Sequence, residues 1–181
     1  LINISGGNNW NGTMSHQIKF IYASTPEGVI GNNNSLPWTL KEDLELFKQK
    51  TLFGTVLMGS KTYDSLPSSI RPLPNRTSLI LSSKPDKYNK YGKVYKDINS
   101  AIQSSKEPIW VIGGASVFEQ LLSKCTEVHH TEIQLNVTGD TRFNMDISDW
   151  LITDDSGLMT SKNGLNYRVR VYKKPDNLFM L

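Results

Sequence analysis

The sequence predicts one α/β domain: a mostly parallel central sheet of about eight strands, an antiparallel C-terminal edge and about four flanking helices. Three observations predict it. Short apolar runs alternate with segments of helical period along most of the chain. Two of those runs end in glycine and pass directly into a helical segment. The last strand-like runs follow one another with no helix between them.

Residues 18–24, IKFIYAS, read as the first strand; Pro26-Glu27-Gly28 turns the chain, and a long loop follows to Trp38. Residues 39–50 carry helical spacing. Residues 55–58 form a short buried strand ending at Gly59, and 61–66 a short helix. The stretch SLPSSIRPLPNR is a Pro-rich loop. Strands over 77–82 and 94–95 and a helix over 98–105 come next. A buried strand over 109–112 runs through Gly113-Gly114 into a helix over 115–123. Residues 127–135 and 150–153 read as strands, and 166–173 alternate as a final strand after the Lys162-Asn163-Gly164 turn. Strands joined by helices pair in parallel and are covered on both faces. No repeat or linker interrupts the series.

A chain of 181 residues suits a single core, here expected over 17–174, with an N-terminal arm over 1–16 and a tail over 175–181. Met14 stands just before the first strand-like run, so the arm is read as appended or poorly packed. A net charge of +3 with no Lys/Arg block argues against nucleic acid; the lysines of 84–96 are dispersed among Asp86, Tyr88 and Gly92. The single cysteine, Cys125, excludes a disulfide framework, and His16, His129 and His130 have no metal-binding spacing. No apolar run reaches membrane-spanning length and no signal peptide is seen, so a cytoplasmic monomer is expected, and the Asn-x-Ser/Thr triplets at Asn3, Asn11, Asn33, Asn75 and Asn136 are ascribed to chance.

The stretch GNNNSLPWTLKEDLELF, residues 31–47, carries the most chemistry. Thr39 and Glu42 fit a capping box, which accounts for Glu42. Spacings of three and four put Leu40, Asp43, Leu44 and Phe47 on one helical face. Asp43 is then either a solvated charge at the edge of an apolar stripe, favoured by the helix dipole, or an acid in an apolar pocket.

Two strand–glycine–helix junctions could hold a phosphate. VIGGASVF, residues 111–118, and LMGSKT, residues 57–62, both aim free backbone N–H groups past a strand end, the second adding Ser60, Lys61 and Thr62. Either is also explained by close packing. GTVLMGSKT nearly matches a P-loop, but its lysine comes one place late and its spacer is strand-like. The G-x-G-x-x-G fingerprint is absent.

In order and spacing, VIG..N.LPW (29–38), the Asp43–Phe47 helix, T…MG..T (51–62), RPLP.R (71–76), LSS (81–83), VIGG (111–114) and GDT.F (139–143) resemble the dihydrofolate reductase family. The resemblance spans about residues 18–172, nearly the whole chain. It implies reduction of 7,8-dihydrofolate to tetrahydrofolate with NADPH as cofactor, and antifolates as inhibitors. By motif position, Asp43 resembles the carboxylate that holds the pterin edge and promotes N5 protonation. Thr131 resembles its hydroxyl partner, and Trp38 the residue holding an ordered water. Ile21, Tyr22, Leu36, Leu44, Phe47, Leu66, Leu73 and Ile112 would line the pterin and aminobenzoyl pocket, with Arg76 taking the folate α-carboxylate. Ala23, Ile30 and Gly31 resemble nicotinamide contacts. Gly59, Ser60, Lys61 and Thr62, with Gly113, Gly114, Ala115, Ser116, Val117 and Phe118, resemble the pyrophosphate cradle. Leu81, Ser82 and Ser83, with Lys61, fall on the adenosine side and its 2′-phosphate. Residues 32–36 resemble a loop that closes over the nicotinamide. No metal is implied.

The chain departs from the family pattern in places. Tyr22 stands where a smaller apolar residue is usual, Ser60 where a base is frequent and Phe118 where tyrosine is common. The long Pro-rich loop resembles eukaryotic forms, whereas Asp at 43 resembles bacterial and phage ones. Two rivals share the fold: a pyrimidine reductase, against which Asp43 with Arg76 argues, and a retired reductase, against which Asp43, Trp38, Thr131 and Arg76 together argue.

Overall fold

The apolar runs become the middle of the sheet. The structure, a computed structural model, describes residues 17–88 and 92–175; the expected arm over 1–16 lies outside them, as does all of the expected tail except residue 175. The strands are β1 (Ile18–Ser24), β2 (Val29–Gly31), β3 (Thr55–Gly59), β4 (Thr77–Leu81), β5 (Lys93–Tyr95), β6 (Ile109–Gly113), β7 (Cys125–Ile133), β8 (Thr141–Arg142), β9 (Leu151–Thr160) and β10 (Asn166–Lys173). The helices are α1 (Lys41–Thr51), α2 (Ser60–Ser65), α3 (Ile98–Gln103) and α4 (Ala115–Leu121).

Eight strands form one sheet in the order β5-β4-β3-β6-β1-β7-β10-β9, parallel from β5 to β7 and antiparallel at β7-β10 and β10-β9. Val56, Leu57 and Met58 of β3 are all fully buried, as expected for a strand covered on both faces. Ile18, Phe20, Leu57, Val111, Phe118, Leu121 and Val128 form the larger core cluster. Val56, Met58, Tyr63, Leu73, Ile80 and Tyr88 form a second. No helix among the described residues is long and apolar enough to cross a membrane.

The main differences from expectation lie at four places, each with a local reason. Helix α1 starts at Lys41 rather than 39, and the capping box does not form. Its N-cap is Leu40, extended and without a side-chain cap bond. The Thr39 carbonyl accepts a bond from Asn163 Nδ2 at 2.7 Å, and Glu42 Oε1 accepts one from the Lys162 N–H at 3.0 Å. Both groups tie the helix to the β9–β10 turn. Strand β9 runs past residue 153 to Thr160 because Asp154-Asp155-Ser156-Gly157 is a bulge rather than a turn, with Gly157 at φ +70°. Arg168 holds the Asp155 carboxylate through two bonds of 2.8 and 2.7 Å. Strand β7 begins at Cys125, in register with Ile18, and ends at Ile133, whose carbonyl accepts from the Leu135 N–H. The ribbon of β2 and β8 is the fourth difference, two short strands within segments expected to be loop. Gly139 permits their approach, since a Cβ there would stand 2.7 Å from the Gly31 carbonyl oxygen.

Candidate active site

Helix α1 lies across β7, and two side-chain bonds join them. Thr131 Oγ1 donates to Asp43 Oδ1 at 2.6 Å. Lys50 Nζ donates to His129 Nδ1 at 2.8 Å. The spacing is dictated by the two periods: seven residues is nearly two helical turns, and two residues of strand return to the same face. Asp43 is half-buried, and burial raises its pKa above the usual carboxylate range; the Thr131 bond and the Lys50 charge oppose that rise. Asp43 is therefore not a solvated charge.

The apolar stripe beside it does not pack as a core face. Leu40 is buried, but Leu44 is 56% exposed and Leu36 is 51% exposed. Together with Phe47, Leu66, Ile70 and Leu73 they wall an open cleft of about 1400 Å³. That exceeds the usual range for one drug-sized ligand and accommodates two side by side. Apolar side chains left open around one carboxylate are a surface built for a ligand.

The far part of the cleft is the glycine-rich corner where β3 and β6 end. Gly59 and Gly114 are the N-caps of α2 and α4, neither end with a side-chain cap; the Gly114 carbonyl takes the Val117 and Phe118 N–H groups, and the donors ahead of them stand at the open helix end. A Cβ at Gly59 would meet Val117 Cγ2 at 3.4 Å, and one at Gly113, which lies at φ +125°, would meet Thr62 Oγ1 at 3.5 Å. Thr62, Lys61, Ser83 and the glycine backbone line this corner, a set of donors and one cation suited to phosphate groups. Ser82 also lines it, but its buried hydroxyl accepts from the Lys84 N–H at 3.0 Å. Among the described residues no group of His, Cys, Asp and Glu is placed to hold a metal ion.

Of the residues expected at the site, Ile21, Tyr22, Ala23, Ile30, Gly31, Leu36, Asp43, Leu44, Phe47, Leu66, Leu73, Arg76, Leu81, Ile112 and Thr131 line this one cleft. So do the expected residues of 59–62, 82–83 and 113–118. Trp38 does not. It is 8% exposed and packs with Leu40, Ile133 and Tyr167. Tyr22 reaches the cleft, but its ring lies on the sheet face opposite Asp43, against Phe118, His130 and Phe143 at 5.2, 4.8 and 5.3 Å between ring centroids. Strand alternation is the reason: Ala23 pairs with Thr131 and Tyr22 with His130. Arg76 is oriented before any ligand, donating to the Pro74 carbonyl at 2.9 Å and Thr51 Oγ1 at 3.3 Å, with its guanidinium 5.9 Å from the Phe47 ring centre.

Lys50, His129, Thr141, Gln120 and Lys96 also line the cleft and were not expected. The signal for two of them is in the sequence. Lys50 follows Asp43 by seven residues and His129 precedes Thr131 by two, so each shares a face with a site residue.

Comparison with known proteins points to one family. A family model described as dihydrofolate reductase matches residues 17–174. The chain is 36% identical over 160 residues to the bifunctional dihydrofolate reductase-thymidylate synthase of Paramecium tetraurelia, covering 86% of this chain but only 34% of that protein. It is 33% identical over 164 residues to the dihydrofolate reductase of Bacillus subtilis, covering 88% of this chain and 96% of the relative. Among solved structures, dihydrofolate reductase from Enterococcus faecalis, in complex with NADP(H) and RAB-propyl, superposes with a TM-score of 0.79 at 30% identity, over 90% of this chain and 98% of that one.

Proposed function

The chain belongs to the dihydrofolate reductase family, and from that membership we propose how its cleft carries out NADPH-dependent reduction of 7,8-dihydrofolate to tetrahydrofolate. Residues 17–174 are the reductase domain on this account. One observation carries the assignment of roles: a half-buried carboxylate, bonded to a threonine and walled by open apolar side chains, shares a single cleft with a glycine-rich phosphate corner.

When bound, NADPH would supply the hydride that C6 of the pterin receives. The chain holds that cofactor through the backbone of 113–116, Gly59, Thr62 and Lys61, with Ser83 toward the 2′-phosphate and Ala23, Ile30 and Gly31 beside the nicotinamide. Asp43 takes the N3–H and 2-amino edge of the pterin. Its oxygens retain lone pairs after the Thr131 bond, and Asp43 lines the cleft. A carboxylate there draws positive charge onto the ring and so promotes protonation of N5. Leu44, Phe47, Leu66, Leu73 and Ile112 exclude water around the ring, and Arg76 pairs with the α-carboxylate of the tail. Residues 32–36, turning back through the bonds between Asn32 and Ser35, close the nicotinamide side.

The test is NADPH oxidation followed spectrophotometrically with and without dihydrofolate. Folate-dependent turnover is expected; its absence in folded protein overturns the proposal. In Asp43→Asn, turnover near neutral pH is expected to fall by roughly 100-fold or more, with NADPH binding kept. Near-normal turnover in that variant means the acid lies elsewhere.

A further inference from the structure

We propose that Lys50 is a positioning residue for the reaction: clamped between α1 and β7 by His129 and Glu127, it sets the protonation state of Asp43 and so the pH range of turnover. The proposal rests on Asp43 being the acid of the site.

The clamp is a chain of directed bonds. Lys50 Nζ lies 2.8 Å from His129 Nδ1, and His129 Nε2 lies 2.6 Å from Glu127 Oε1. Lys19 Nζ completes the chain 3.8 Å from the other Glu127 oxygen. An ammonium only donates and a carboxylate only accepts, so these partners select the His129 tautomer with its proton on Nε2. Burial lowers the His129 pKa, and Glu127 opposes that shift. His129 is thus a neutral spacer that fixes an ammonium in place. Trp110, 4.8 Å from the imidazole between ring centroids, closes the other side.

The Lys50 charge favours the Asp43 carboxylate; on the same helix Lys41 and Glu45 also line both cavities that Asp43 lines. On α1 the neighbouring acid, Glu42, is turned away onto the Lys162 N–H. On β7, Asp43 meets the Thr131 hydroxyl and, one rung on, neutral His129. On β10, Tyr167 and apolar Val169 stand beside it, and the Tyr167 phenol is held above its usual pKa by burial first, then by Glu42 and Asp43. On β9, Asp154 faces Lys50 across a rear cavity of about 1020 Å³ between α1 and the β9–β10 hairpin. Asp43 and Lys50 line both this cavity and the substrate cleft. With the cleft filled, the pair therefore keeps a second face open to solvent. Burial pulls the Lys50 pKa down, while Asp154, Asp43 and Glu127 oppose the loss of its charge.

The sign follows directly. A nearby cation favours the carboxylate, so removing it raises the Asp43 pKa. In Lys50→Met the acid limb of the kcat/KM pH profile is expected to move up by about one unit. Lys50→Arg, which keeps the charge, is expected to restore the limb, and His129→Phe to move it in the same direction as Lys50→Met. NADPH affinity reports the fold in each variant. A limb unmoved in Lys50→Met overturns the proposal, whether or not KM for dihydrofolate rises. A shift in Lys50→Met with none in His129→Phe overturns the clamp. Asp43→Asn separates the two levels: a limb that persists there overturns Asp43 as the acid. The coupling is then read from carbon-13 titration of the Asp43 carboxyl in the wild type and Lys50→Met. An upward shift upholds it and no shift overturns it.

Discussion

A single hydroxyl opposes burial at Asp43. Burial pushes the Asp43 carboxyl toward the neutral form and leaves its pKa raised, while the Thr131 bond and then the Lys50 charge work against that rise beside an apolar wall. At the other end of the cleft, Arg76 shows how an anchor is prepared. Two of its donors are occupied by Pro74 and Thr51, which fixes the plane of the guanidinium at the wall of the cleft. Arg76→Leu is expected to raise KM for dihydrofolate by about tenfold or more, with little change for a pterin lacking the glutamyl tail. Steady-state kinetics with the two substrates checks it, and equal effects on both mean that Arg76 does not hold the tail. The residues that define the chemistry were legible as types. What the sequence could not supply at this scale was direction. Tyr22 and Trp38 were placed near the substrate by motif, and strand alternation and core packing turned Tyr22 to the opposite face and Trp38 onto Leu40, Ile133 and Tyr167.

At the scale of elements, α1 is held by what it touches rather than by its own end. Its expected cap is replaced by bonds from Glu42 and Thr39 to the β9–β10 turn, which couple the helix bearing Asp43 to the antiparallel edge. The Lys162 N–H bond holds the Glu42 carboxyl below its ordinary pKa. The folded pKa lies below the unfolded one, so the contribution to stability is present above the unfolded value of about 4.3 and fades as pH falls through the folded value. Glu42→Gln is therefore expected to melt below the wild type near neutrality, with the gap closing below about pH 4. Thermal melts across pH check it; a gap independent of pH assigns the loss to something other than the charge. Strand and helix existence was legible because burial on two faces writes continuous apolar runs, as in β3 and β6. Element ends were less so. They depend on partners far along the chain, Asn163 for the start of α1 and Arg168 for the length of β9.

For the molecule as a whole, the sheet is protected at its centre and open at one edge. Strand β9 is exposed almost throughout, with Leu151, Ile152, Leu158 and Met159 at 60, 53, 65 and 41% exposure. A long apolar edge is a template for pairing with another chain. Leu158→Lys is expected to raise the protein concentration at which light scattering begins, with kcat unchanged, because Leu158 lies outside the lining of the cleft. No change in scattering would mean that the edge is not the sticky surface.

The sequence by itself determined the α/β class, the order of strands and helices, the position of Asp43 on an apolar helical stripe and the two glycine corners. Each of these is written in local periodicity or in a short run of residue types. Only the tertiary structure decided which residues meet. Asp43 and Thr131 are 88 positions apart, and Lys50 and His129 are 79 apart. Such pairs form because a helix packed across a strand brings two unrelated periods into register. No window of sequence contains both partners.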